Sequence, residues 1–163
     1  MDRPFNKQFY DSLLEKTDNY NVLPVYNESF CDYVTRILNK KKITRTDLSI
    51  KTGVTMTMIS NYFNKDDVEL TPQYVIALII GLEMESTQIE AALKLAGIRI
   101  DNPSRRNQII QYCLDRCSLS GDEKRTVEDC NRMLYLSGFK PLTKKGLEED
   151  DLKDLAEHMA IDA

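Results

Sequence analysis

Residues 74–84, YVIALIIGLEM, constrain the chain more than any other stretch, because they are apolar almost all round a helix. Thr71 and Pro72 precede them, a cap followed by the residue best suited to a first helical turn. A helix without a polar side has to be enclosed by other elements, so this one predicts the centre of a domain with helices wrapped around it. It is about half the length of the roughly 18–20 apolar residues that cross a bilayer, so no membrane segment is expected. At 163 residues, 42% of them hydrophobic, the chain can fill one compact domain or two small ones.

Elsewhere the apolar residues recur at intervals of three and four, not two, which predicts an all-α protein. Residues 6–19 put Phe9, Leu13 and Leu14 on one helical face, and Pro24 stops that helix from continuing. Ser29 is expected to cap a helix reaching Asn39, with Phe30, Val34, Ile37 and Leu38 inward. Thr44 precedes a short helix that ends near Thr52, Gly53 supplies a positive φ, and Thr55 caps a helix running to Phe63. Ser86 opens another, with Ile89, Leu93 and Ala96 inward and Gly97 as its stop.

Pro103, within IRIDNPSRR, and a fall in hydrophobicity mark a boundary near Asp101. Beyond it, one helix carries Ile109, Ile110, Cys113, Leu114 and Cys117, and a second carries Val127, Cys130 and Leu134. AALKLAGIRI and NRMLYLSGFKPL match Leu93 with Leu134 and Gly97 with Gly138, 41 positions apart. That reads equally as an internal repeat or as two ordinary glycine stops. The last segment, GLEEDDLKDLAEHMAIDA, has Leu152, Leu155, Ala156 and Met159 on one side and acids on the other, as a docked amphipathic helix would.

A net charge of -4 taken alone argues against a nucleic-acid partner, but the charge is segregated. Residues 30–65 hold Arg36, Lys40, Lys41, Lys42, Arg45, Lys51 and Lys65 against Asp32 and Asp47, a local +5, whereas the tail is strongly acidic. The N-terminus has no apolar signal core, which points to a cytoplasmic location. Cys31, Cys113, Cys117 and Cys130 read as free thiols, three of them at apolar helical spacing. The only histidine, His158, lies in the acidic tail and leaves a zinc site short of a fourth ligand, so no metal or cofactor is expected. No nucleophile stands beside a base and no glycine-rich loop waits for a phosphate, so an enzyme is not expected.

The stretch ITRTDLSIKTGVTMTMISNYFN, residues 43–64, resembles the helix-turn-helix of the Cro/cI-like (XRE) family of regulators. Leu48, Val54 and Ile59 stand where a wedge of core fixes the helix crossing, Ser49 where a small residue is needed, and Gly53 in the turn. The resemblance implies a five-helix domain over 29–100, flanked by an N-terminal helical arm and linker (1–28), a helical extension (101–142) and an acidic tail helix (143–163). It further implies double-stranded DNA as partner, with Met56, Thr57 and Asn61 facing bases in the major groove. Thr44, Arg45, Thr55, Ser60 and Asn64, helped by Lys40, Lys41, Lys42 and Lys65, are then expected at phosphates.

The sequence departs from the family where an Arg–Glu pair is common. Leu38 and Phe63 stand there instead, as if packing had replaced the pair. Asn pairs with adenine and a Thr or Met methyl touches thymine, so an A·T-leaning site is the expected readout. A regulator of transcription follows from these readings. The other reading is an interaction adaptor that keeps the fold as a scaffold, with Met56 and Met58 at a protein interface. Because one such motif covers half an operator, a homodimer is expected, with residues 104–142 packing partly on the domain and partly on a second copy.

Overall fold

A computed structural model describes residues 5–18, 23–64 and 68–162. Among them the chain forms α-helices and no strand: α1 (Lys7–Asp18), α2 (Phe30–Lys40), α3 (Arg45–Thr52), α4 (Met56–Asn64), α5 (Pro72–Gly81), α6 (Ser86–Ala96), α7 (Arg105–Leu114), α8 (Val127–Leu136) and α9 (Glu149–Asp162). The all-α expectation holds. Among the described residues, no helix is long and apolar enough to cross a membrane.

α5 is the central helix. Val75 to Gly81 are all buried, and α3, α6, α7 and α8 pack against it. Gly81 makes the closest of these crossings possible, because a Cβ there would stand 2.3 Å from Cγ2 of Thr52 on α3. Around this helix the buried faces of α2 (Phe30, Tyr33, Val34, Ile37, Leu38), α7 (Ile109, Ile110, Cys113, Leu114) and α8 (Val127, Cys130, Leu134) join one apolar cluster. The four cysteines are free thiols, three buried and Cys31 half-buried.

The helix ends follow local chemistry. Ser29, Thr44, Ser104 and Thr126 each accept a backbone N–H three residues on, so each satisfies a donor that an uncapped helix leaves open. Thr71 precedes α5 without a side-chain cap, and α6 opens at Ser86 as expected, with Glu85 as its cap residue. Both glycine stops are left-handed, Gly97 at φ 69° and Gly138 at φ 81°, and each is followed by the same closing hydrogen bond. Ile98 N–H donates to Leu93 O at 2.9 Å and Phe139 N–H to Leu134 O at 2.8 Å. The 41-residue correspondence therefore extends to backbone geometry at both ends.

One expectation is narrowed. Of the apolar faces expected to pack partly on the domain and partly on a second copy, Ile109, Ile110, Cys113, Leu114 and Leu134 are at most 2% exposed within a single chain, whereas Phe139 is half-buried and Leu136 is 46% exposed. α7 and α8 face each other and α5, so that face closes the core from within. The large apolar side chains that stay exposed lie in two main groups: Phe5, Phe9, Tyr10, Leu13, Leu14, Leu23, Val25 and Tyr26 toward the N-terminus, and Leu119, Tyr135 and Leu136 within residues 104–142, with Ile50 and Met56 on α3 and α4.

Candidate nucleic-acid interface

α3 and α4 are joined by a turn that the sequence builds residue by residue. Gly53 closes α3 at φ 76°, its N–H donating to Ser49 O at 2.8 Å. The Ser49 hydroxyl donates to Val54 O at 2.7 Å, and Thr52 Oγ1 accepts from Val54 N at 3.1 Å while donating to Leu48 O at 2.7 Å. Leu48, Val54 and Ile59 are buried beneath the turn, as their spacing suggests. Tyr62, also fully buried, accepts the N–H of Thr71 at 3.0 Å and so ties the end of α4 to the start of α5.

With Ile59 and Tyr62 inward, α4 turns Met56, Thr57, Ser60, Asn61 and Asn64 outward as one stripe. Met56 is 43% exposed, Thr57 exposed, and Ser60 and Asn61 half-buried along the edge of the stripe. Met58 packs against the core, so the two methionines have different surroundings. Thr55 caps α4, its Oγ1 accepting Met58 N–H at 3.3 Å. Arg45, the first residue of α3, reaches across to Asn64 and lies 5.4 Å from the centre of the Phe63 ring. Leu38 and Phe63 both belong to the core or its margin, consistent with packing at the two positions where charges were absent.

The basic residues of 30–65 do not act together. Arg36 forms a two-pronged pair with Glu28 at 3.0 and 2.8 Å and also donates to Leu23 O. The hydrogen bond from Arg36 holds the Glu28 carboxyl below its ordinary range. Lys41 is turned inward, its ammonium donating to Leu82 O and, at 2.9 Å, to Glu83 O at the end of α5. Burial pulls its pKa down. Lys41 is thus a cap for α5, a correction to its place among the phosphate-binding lysines, because an ammonium held by two carbonyls is not presented to an outside anion. Lys51 pairs with Glu83 at 3.2 Å, and Lys124 pairs with the same carboxylate. Lys40 and Lys42 are exposed; Lys42 takes a left-handed turn (φ 56°) and lines a shallow groove with Asp47 and Ile50. Thr44 is exposed but spends its side chain on capping α3. Lys65 lies outside the described residues.

A second basic group lies beside the turn, and sequence reasoning missed it. Residues 140–147 run past Gly53 and Thr55, forming with Gln73 and Tyr74 a groove of about 410 Å³. Asn131, fully buried on α8, uses its whole amide to hold them. Its Oδ1 accepts Leu142 N–H (2.9 Å) and Thr143 N–H (3.1 Å), and its Nδ2 donates to Thr143 Oγ1 and Lys145 O, both at 2.9 Å. Thr143 Oγ1 in turn donates to Thr52 O at 2.5 Å. Gly53 has a second duty here, since a Cβ would come within 2.7 Å of Thr143 Oγ1. The signal was present as KPLTKK, three lysines in six residues, but a boundary drawn at residue 143 divided it.

Comparison of the chain with family models, with curated proteins and with solved structures gave no match.

Proposed function

We propose that the chain is a sequence-specific DNA-binding regulator of transcription that lays α4 in the major groove of duplex DNA. The observation that carries this reading is the outward stripe of α4, in which Met56, Thr57 and Asn61 lie together on a helix whose other side is anchored by Ile59 and Tyr62. Their chemistry suits A·T pairs: an amide for adenine, a methyl and a thioether for the thymine methyl. Arg45 and Thr55 flank the stripe, and Ser60 and Asn64 lie along it, as phosphate ligands, and the resemblance to Cro/cI-like regulators gives these residues the same division of labour. Lys40 and Lys42 add charge near the start of α3.

A reader of this kind needs two half-sites about one helical turn, roughly 34 Å, apart, hence two copies. The second copy is expected on α1, whose exposed Phe9, Tyr10 and Leu13 form an apolar face on a helix too short to be stable alone in water.

Selection of bound duplexes from a random pool, followed by a salt titration on the best one, tests the reading. Enrichment of an A·T-rich motif is expected, with log K falling linearly against log salt. Asn61→Ala should then relax preference at one or two base pairs, at a cost of about 1–3 kcal/mol on the selected site. A pool that yields no motif, with affinity unmoved by salt, overturns the reading in favour of an interaction adaptor.

A further inference from the structure

With Arg36, Lys41 and Lys51 committed to partners inside the chain, the helices around the turn offer a duplex less charge than their sequence suggests. The C-terminal strap, residues 140–147, restores it. Lys140 and Lys144 are exposed and border the groove that also contains Thr55, and their ammonium groups have no hydrogen-bond or ion-pair partner among the described residues. Lys145 is different: it is half-buried and lines the crevice between α3 and α8. The strap is not a loose loop that happens to lie nearby. Asn131 saturates its amide on it, Thr143 bonds to the last residue of α3, and Arg132 Nε donates to Gly146 O at 3.0 Å. The backbone that carries Lys140 and Lys144 is thereby fixed beside the cap of α4.

We propose that Lys140 and Lys144 are a second phosphate clamp, contacting the sugar–phosphate backbone that passes Thr55 when α4 occupies the major groove. The proposal rests on the DNA-binding reading above and adds to it residues about 80 positions away in sequence. Arg45 and Asn64 serve one side of α4, where its last residue meets the first of α3; the strap serves the other, where α4 begins. Clamping at both ends of a reading helix fixes its depth and tilt, and phosphate contacts do this without sequence information. The partner is a polyanion with a regular charge spacing, which a duplex backbone supplies.

The test uses the full chain and the duplex selected above. Lys140→Gln with Lys144→Gln removes two charges from exposed positions, and Lys94→Gln with Lys153→Gln removes two from exposed positions on α6 and α9. Each phosphate contact contributes about 0.9 to the log–log salt slope, so the strap variant should lose nearly two units and the control variant far less. Base preference in a repeated selection should be unchanged. A wild-type protein that binds while the strap variant keeps its full slope overturns the clamp and leaves the DNA reading standing. Equal losses in both variants reduce the effect to net charge and also overturn it. Binding lost for polyglutamate but kept for the duplex assigns the lysines to an acidic protein partner instead. If wild-type protein binds no duplex, the reading beneath the proposal falls with it.

Discussion

Arg45 Nη1 donates to Asn64 Oδ1 across 2.9 Å, joining the first residue of α3 to the last residue of α4. The link closes the α3–α4 pair at the side opposite its turn. One nitrogen of a five-donor guanidinium is used this way, which leaves other N–H groups of Arg45 for an incoming phosphate.

Arg45→Ala should weaken binding to every duplex alike and lower the log–log salt slope by somewhat under one unit. Fluorescence anisotropy on a selected and an unrelated duplex measures both. A loss confined to the selected sequence would make Arg45 a base reader.

Lys41→Met should act on the fold and not on DNA. The carbonyls of Leu82 and Glu83 lose their donor, which costs about 1–2 kcal/mol in urea unfolding. The salt slope of DNA binding should stay at the wild-type value; a drop of about one unit would return Lys41 to the phosphate-binding set.

The contrast between Lys41 and Lys140 bears on how much the sequence disclosed. Helices, caps and the Gly53 turn were legible because they depend on neighbours three or four residues away: Thr44 with Asp47, Ser29 with Asp32. The apolar face of α7 and α8 was legible as apolar, but its occupant was not. Nothing local distinguishes a face that meets α5 from one that meets another copy. Charges were the least legible, since a lysine reads the same whether it caps Leu82 and Glu83 or faces solvent. Only the path of the chain between residues 131 and 147 brings the strap to the turn.

Gly53→Ala and Asn131→Ala should each destabilise, and should not add. The first forces an alanine into the left-handed region, at about 1–2 kcal/mol, and presses on Thr143; the second leaves Leu142 N–H, Thr143 N–H and Lys145 O without their partner, at about 3 kcal/mol. Both release the same strap, so the double variant should fall short of the sum by 0.5 kcal/mol or more, the size of coupling that a shared network gives, about 0.5–3 kcal/mol. Strict additivity in denaturant unfolding would mean that Asn131 and the turn are independent.

Phe9→Asp with Leu13→Asp should leave the helical fold intact and abolish self-association. Burying one such side chain is worth about 1.5–3 kcal/mol, so losing two raises the dimer dissociation constant by at least a hundredfold. Sedimentation equilibrium at tens of micromolar measures it; a variant that still dimerises puts the interface elsewhere than α1.

The hydrogen bond from Thr143 to Thr52 spans 91 positions of chain. A chain is synthesised from its N-terminus at about 5–20 residues per second, so the α3–α4 turn waits roughly 5–18 seconds for the segment that covers it. During that interval α3 and α4 can form, since their contacts are local, while the underside of the turn stays open to water. Messages cut short before codon 143 would release α4 without its brace. Loss of the chain from residue 143 onward is therefore expected to register first in the proposed DNA binding and in survival against proteases, with the helical content of the remainder affected less.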